Sequence, residues 1–163
     1  MSSRQSVVLI RGGGDLATGI AARLHRSGIT IIVTEVQKPR AVRRLVALAQ
    51  AVYSREVLVE DLHGKLVITA EEASIAIKGG KIPVMIDPEA KIRNELRIVA
   101  LVDARMRKRP PEIGVEGVPL VIGVGPGFSA GLDCHAVVET KRGPNMGRVF
   151  WEGSAEPDTG IPG

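Results

Sequence analysis

Residues 7–19, Val-Val-Leu-Ile-Arg-Gly-Gly-Gly-Asp-Leu-Ala-Thr-Gly, limit what this chain can fold into more than any other stretch. The apolar run reads as a buried strand, the three glycines as a tight turn, and Asp15-Leu16-Ala17 as the start of a helix. In a strand–turn–helix unit the first glycine permits the turn and a later one lets the backbone approach a pyrophosphate. A small third residue, here Ala17, lets the helix close on the strand. The helix N-terminus then offers N–H groups and a positive dipole end to an anion. Gly12, Gly13, Gly14, Asp15, Leu16 and Ala17 are therefore the candidate cofactor-binding residues of this turn.

The flanks strengthen the reading, since a glycine triplet alone also serves turns that hold no ligand. Leu16, Ile20 and Leu24 recur at four-residue spacing beside Ala17 and Ala21, with Arg23, His25 and Arg26 opposite, which predicts an amphipathic helix ended by Gly28. The β-branched run Thr30–Thr34 follows and closes on Glu35, about twenty residues past the glycines, where a dinucleotide fingerprint places the acid that holds a ribose diol. The alternative for Glu35 is a solvated strand-end carboxylate. Lys38 and Arg40 lie close enough to meet a 2′-phosphate, but Glu35 would repel one. NAD or another adenine dinucleotide is thus the expected ligand.

A chain of 163 residues, 44% of them hydrophobic, suits one soluble domain with a sizeable core. Aromatic residues make up only 2%, so the core falls to Val, Ile, Leu and Ala, as in parallel sheets covered by helices. The same scarcity removes the stacking platforms that single-stranded nucleic acids need, and a net charge of +4 reads as a solvated surface, so no nucleic-acid partner is expected. Cys134 is the only cysteine, which rules out a disulfide within one chain and suits a reducing cytoplasm. Only four apolar residues stand between Ser6 and Arg11, too few for a signal-peptide core, and no apolar run is long enough for a membrane span, so no membrane partner is expected. A homodimer is expected because symmetric dimers are common.

Farther along, Pro39 is expected to start a second helix with Val42, Leu45, Val46 and Ala49 inward and Arg40, Arg43 and Arg44 outward. Strands are predicted at 51–53, 57–59, 66–68, 83–87, 98–103 and 119–124, and a short helix at about 71–78. Residues 136–140 and 148–151 read as an edge hairpin. The alternation predicts an α/β fold: a Rossmann-like, doubly wound, mainly parallel sheet with helices on both faces and antiparallel additions near residues 54–68 and toward the C-terminus. Residues 1–152 form the expected nucleotide-binding domain, and 153–163, small and proline-punctuated, a tail or linker.

A second glycine-rich loop, Gly123-Val124-Gly125-Pro126-Gly127-Phe128, follows a predicted strand. Gly125 and Gly127 either line the same crevice as the first turn or serve a turn with unusual backbone angles. Asp87 and Asp103 close strands and either face the crevice or cap a neighbouring turn. The run Arg105-Met106-Arg107-Lys108-Arg109 is a phosphate clamp or a solvated basic loop. Asp133, Cys134, His135 and Glu139 have metal-ligand chemistry, but Cys134 and His135 are adjacent and point to opposite faces of a strand, so no metal site is assigned. Asp15 is expected to cap the first helix; beside a pyrophosphate it would need a metal ion, Arg11 or a proton.

These motifs in order, with Ile86-Asp87-Pro88-Glu89, Glu139-Thr140 and Glu152-Gly153-Ser154-Ala155, resemble the YqeB-type proteins of selenium-dependent molybdenum hydroxylase systems, and the resemblance covers nearly the whole chain. The nucleotide-binding portion of that family is similar to XdhC-type maturation factors. The resemblance implies an accessory role in maturing a molybdenum hydroxylase, with that enzyme as partner and a nucleotide or molybdopterin dinucleotide in the Rossmann-like crevice. Members tend to continue past residue 163, so the chain is expected to be a shortened form or an N-terminal domain. Two other functions fit the fingerprint: an NAD-dependent oxidoreductase acting on a small molecule, for which no catalytic His, Lys or Tyr stands near the turn, and a dinucleotide-sensing regulatory module.

Overall fold

The computed structural model describes residues 6–157. The chain divides into two compact units, Met1–Val99 and Ala100–Gly163. Nine of its strands run mostly parallel, with antiparallel pairs between residues 56 and 67 and toward the C-terminus, as the sequence predicts for an α/β fold.

In the first unit β1 (Val7–Arg11), β2 (Ile31–Glu35), β3 (Glu56–Val59), β4 (Leu62–Val67) and β5 (Ile82–Ile86) lie in the order β1-β2-β5-β4-β3. All neighbours are parallel except the β3–β4 hairpin. Helix α1 (Asp15–Arg26) connects β1 to β2, and α3 (Ala70–Lys78), capped by the Thr69 hydroxyl accepting the Glu72 N–H, connects β4 to β5. The first crossover steps away from β1 and the second steps back toward it, so right-handed connections put α1 and α3 on opposite faces. Leu9, Ile10, Ile32, Val33 and Val84 fill the centre. On α1 the buried stripe is Ala17, Thr18 and Ala21, while Leu16 is exposed. Small residues there bring the helix close to the sheet.

Two sequence expectations fail between β2 and β3. Instead of a helix from Pro39, residues 39–50 form an irregular run with single 3-10 turns at Arg44–Val46 and Leu48–Gln50. Residues 51–53, expected as a strand, form the short helix α2 (Ala51–Ser54). Leu48, Ala49 and Ala51 are buried, but Val42, Leu45 and Val46 are exposed. The cause is tertiary: the Ala49 N–H donates to the Gly13 carbonyl and the Leu48 N–H to Thr18 Oγ1, at 2.8 and 3.0 Å. Those N–H groups cannot also serve a continuous helix.

In the second unit β6 (Ile98–Asp103, beginning at the boundary), β7 (Val121–Val124), β9 (Ala136–Val138) and β10 (Val149–Phe150) follow one another, the last pair antiparallel. The crossover from β6 to β7 contains no helix among the described residues; Pro110, Pro111, Gly114, Gly117 and Pro119 break any helical run. Strand β8 (Ser129–Ala130) pairs with β11 (Gly153–Ser154), and Ala155 is buried. Within the expected tail Gly153 and Ser154 are thus paired in a strand, Ala155 is buried and the Glu156 N–H is hydrogen-bonded, and 158–163 lie outside the described residues.

Candidate functional site

The turn after β1 is set by three glycines with three different duties. Gly12 sits at φ +91°, a conformation that strains any other residue, and its N–H donates to the Thr34 carbonyl. At Gly13 a Cβ would lie 2.9 Å from the Ala49 nitrogen and 3.1 Å from Val33 Cγ1, so this position needs glycine for close packing. Gly14 is the N-cap of α1 and has nothing within 4 Å of where a Cβ would be. Its face is open. Among the described residues, no hydrogen bond engages the N–H groups of Gly14, Asp15 or Ala17. The turn therefore combines an uncovered backbone with unspent first-turn donors, the physical need of an anion site.

Glu35 reaches this turn from the end of β2. Its Oε1 accepts the Gly13 N–H at 2.7 Å and its Oε2 the Val36 N–H at 2.8 Å. Each oxygen keeps a lone pair for a further donor. Asp15 Oδ1 accepts the Leu16 N–H at 3.0 Å, and Oδ2 pairs with Arg43 Nε at 3.1 Å. A carboxylate in the first turn favours the dipole, but Asp15 is the residue after the N-cap, which is Gly14, and the cation beside it is Arg43 rather than Arg11. Thr18, buried, donates to the Gly14 carbonyl at 2.7 Å and fixes the turn from below. Sequence reasoning missed Thr18, Ala49 and Arg43. A hydroxyl three residues into an otherwise apolar helix face was the available signal for Thr18.

The other strand ends of the first unit hold structural carboxylates and cations. Asp87 Oδ2 accepts the Ile92 N–H at 2.9 Å and caps the turn that follows β5. Arg11, buried, donates to the Pro88 carbonyl at 2.6 Å.

In the second unit Gly125 and Gly127 have φ +85° and +102°. The Gly127 Cα is covered by the chain itself, with Arg109 N 2.3 Å from a Cβ placed there, and Gly125 faces Met106 Sδ at 2.9 Å. The backbone approach at these glycines is made by the 106–109 loop. Arg105 forks onto Asp103, at 2.9 Å from Nε and 2.5 Å from Nη2, and also meets Glu112, as does Arg107. These two arginines of the basic run are paired with carboxylates of their own unit.

Around residues 133–139 the geometry is structural. Cys134 is fully buried; burial and the neighbouring Asp133 push its thiol up to about 12. His135 Nδ1 accepts the Val121 N–H at 2.9 Å, and Asp133 accepts the Ser129 N–H at 2.8 Å. Burial would raise the Glu139 carboxyl, but the N–H groups of Glu156, Lys141 and Thr140, each at 2.8 Å, hold it below the usual range. Among the described residues no three His, Cys, Asp or Glu are grouped to hold a metal ion, and no helix is long and apolar enough to cross a membrane.

Over 161 residues this chain is 43% identical to the Escherichia coli (strain K12) protein named Uncharacterized protein YqeB. The match takes in 99% of this chain and 30% of that protein, so the chain spans less than a third of the relative's length. No family model matches the chain, and no solved structure does.

Proposed function

We propose that the chain binds a nucleotide-type ligand, NAD or another adenine or molybdopterin dinucleotide, at the turn Gly12–Ala17, with Glu35 receiving the ribose diol. The observation that carries this reading is the open backbone at Gly14, where a Cβ would meet nothing within 4 Å, beside first-turn N–H groups that no described residue uses. A pyrophosphate fits such a cradle, and a side chain at Gly14 would fill it. The accessory role in maturing a selenium-dependent molybdenum hydroxylase rests on the resemblance to YqeB-type proteins, and the likeness to the E. coli protein supports that choice of relatives.

Thermal shift and calorimetric titration with NAD, NADP, FAD, ATP and molybdopterin cytosine dinucleotide test the reading. A ligand present at a hundred times its dissociation constant stabilises the fold by about 2.7 kcal/mol. At least one dinucleotide should raise the Tm of the wild-type chain and leave Gly14→Val unmoved. No shift with any of them overturns the nucleotide reading. Co-purification with a molybdenum hydroxylase from a cell that makes one tests the accessory role separately.

A further inference from the structure

We infer that residues 38–46 form an interaction surface for a second copy of this chain, and that the face they meet on that copy is the acidic outer face of α3. Val42 is 96% and Leu45 88% exposed, with Val46 beside them. Single exposed aliphatics are ordinary, but three within five residues make a patch. Lys38, Arg40, Arg43 and Arg44 surround it, and no Asp or Glu occurs from residue 36 to 55. Arg43 is drawn to Asp15 and Arg44 lies over the Tyr53 ring, while Lys38 and Arg40 make no ion pair among the described residues.

Cations around aliphatics repel a copy of themselves and match aliphatics set among carboxylates. The chain carries such a face. Ile68 and Ile75 are 77% and 60% exposed, and Glu71 and Glu72 are exposed between them. Glu71 and Glu72 lie four and three residues before Ile75 and Lys78 three after it, so this side of α3 carries two carboxylates in its first turn and one ammonium in its last. Glu72 is held in place because its Oε2 accepts the Ile68 N–H at 2.8 Å. Within one copy the two faces cannot meet: the Arg segment is tied to the glycine turn beside α1, and α3 covers the opposite side of the sheet. Because the faces are unlike and lie on opposite sides of the sheet, the contact is heterologous and joins copies head to tail rather than as a closed pair.

Sedimentation velocity over a range of concentrations, at low and high ionic strength, provides the test. The wild-type chain should sediment as dimers and larger head-to-tail species that grow with concentration and weaken with added salt. R40E/R44E should sediment as a single chain, and so should E71K; all three substitutions are on exposed side chains, and circular dichroism checks that each variant is folded. An equal mixture of the two variants should form a dimer and nothing larger, since one brings an intact acidic face and the other an intact basic one. A wild-type chain that stays monomeric, or an assembly that neither variant weakens, overturns the assignment, as does failure of the mixture to associate.

Discussion

The Glu35 carboxylate bridges the Gly13 and Val36 N–H groups, at 2.7 and 2.8 Å, and so ties the end of β2 to the turn after β1. The residue expected to receive a ribose is also a strut of the site. Its removal should therefore cost stability as well as affinity. Glu35→Ala should lower stability by about 1–3 kcal/mol, the range for charge-assisted hydrogen bonds, read from urea unfolding. Glu35→Gln keeps an oxygen acceptor and should retain more of the stability. Both variants should weaken NAD more than NADP, because loss of the charge removes repulsion toward a 2′-phosphate.

Neighbouring glycines of the turn should separate packing from binding. Gly13→Ala pushes a methyl against the Ala49 nitrogen and Val33 and should destabilise by about 1–3 kcal/mol. At Gly14 the same methyl meets nothing within 4 Å, so Gly14→Ala should unfold at nearly the wild-type denaturant concentration. Equal losses at the two positions would contradict the geometry.

Phe128 lies where a Gly123 side chain would go, its Cγ 2.2 Å from that Cβ position. Gly123→Ala should cost about 3 kcal/mol, the upper part of the overpacking range. Trimming the ring in Gly123→Ala/Phe128→Leu should cost less than the sum of the single changes, a coupling that a double-mutant cycle measures.

Glu139 sets an acid limit on the second unit. Its folded carboxyl lies below the ordinary 4.5, so it contributes stability above that value which is lost as pH falls through the folded pKa. Glu139→Gln should be less stable than wild type at neutral pH, and the gap should narrow under acid. A gap independent of pH would assign the effect to shape alone.

The Cys134 thiol, fully buried and raised to about 12, should resist iodoacetamide in the folded chain at mildly alkaline pH and react readily in denaturant. Rapid labelling of the folded protein would show that the β7–β9 core opens.

The elements that could be read directly were those in which local pattern and burial agree. Val7–Ile10, the glycines, the helix that follows and β5 each carry one signal, and the hairpin of 136–140 and 148–151 has two strand-like runs around a glycine-proline turn. The segment 39–50 misled because Val42, Leu45, Val46 and Ala49 have helical spacing while the N–H groups of Leu48 and Ala49 are spent on Thr18 and Gly13, thirty or more residues away. Ala51-Val52-Tyr53 misled because a three-residue apolar run carries no period. In the turn, Gly12 to Ala17 were legible because turn chemistry is local, and Glu35 because it closes a β-branched run at a set distance past the glycines. Arg43 and Thr18 were not, since their roles exist only once the chain has folded back.

The division into two units gives each its own chromophore. The only tyrosine, Tyr53, belongs to the first, where its hydroxyl donates to the Pro39 carbonyl at 2.8 Å. The only tryptophan, Trp151, belongs to the second. Intrinsic fluorescence can therefore time the melting of each half of the chain separately, with no label and no substitution.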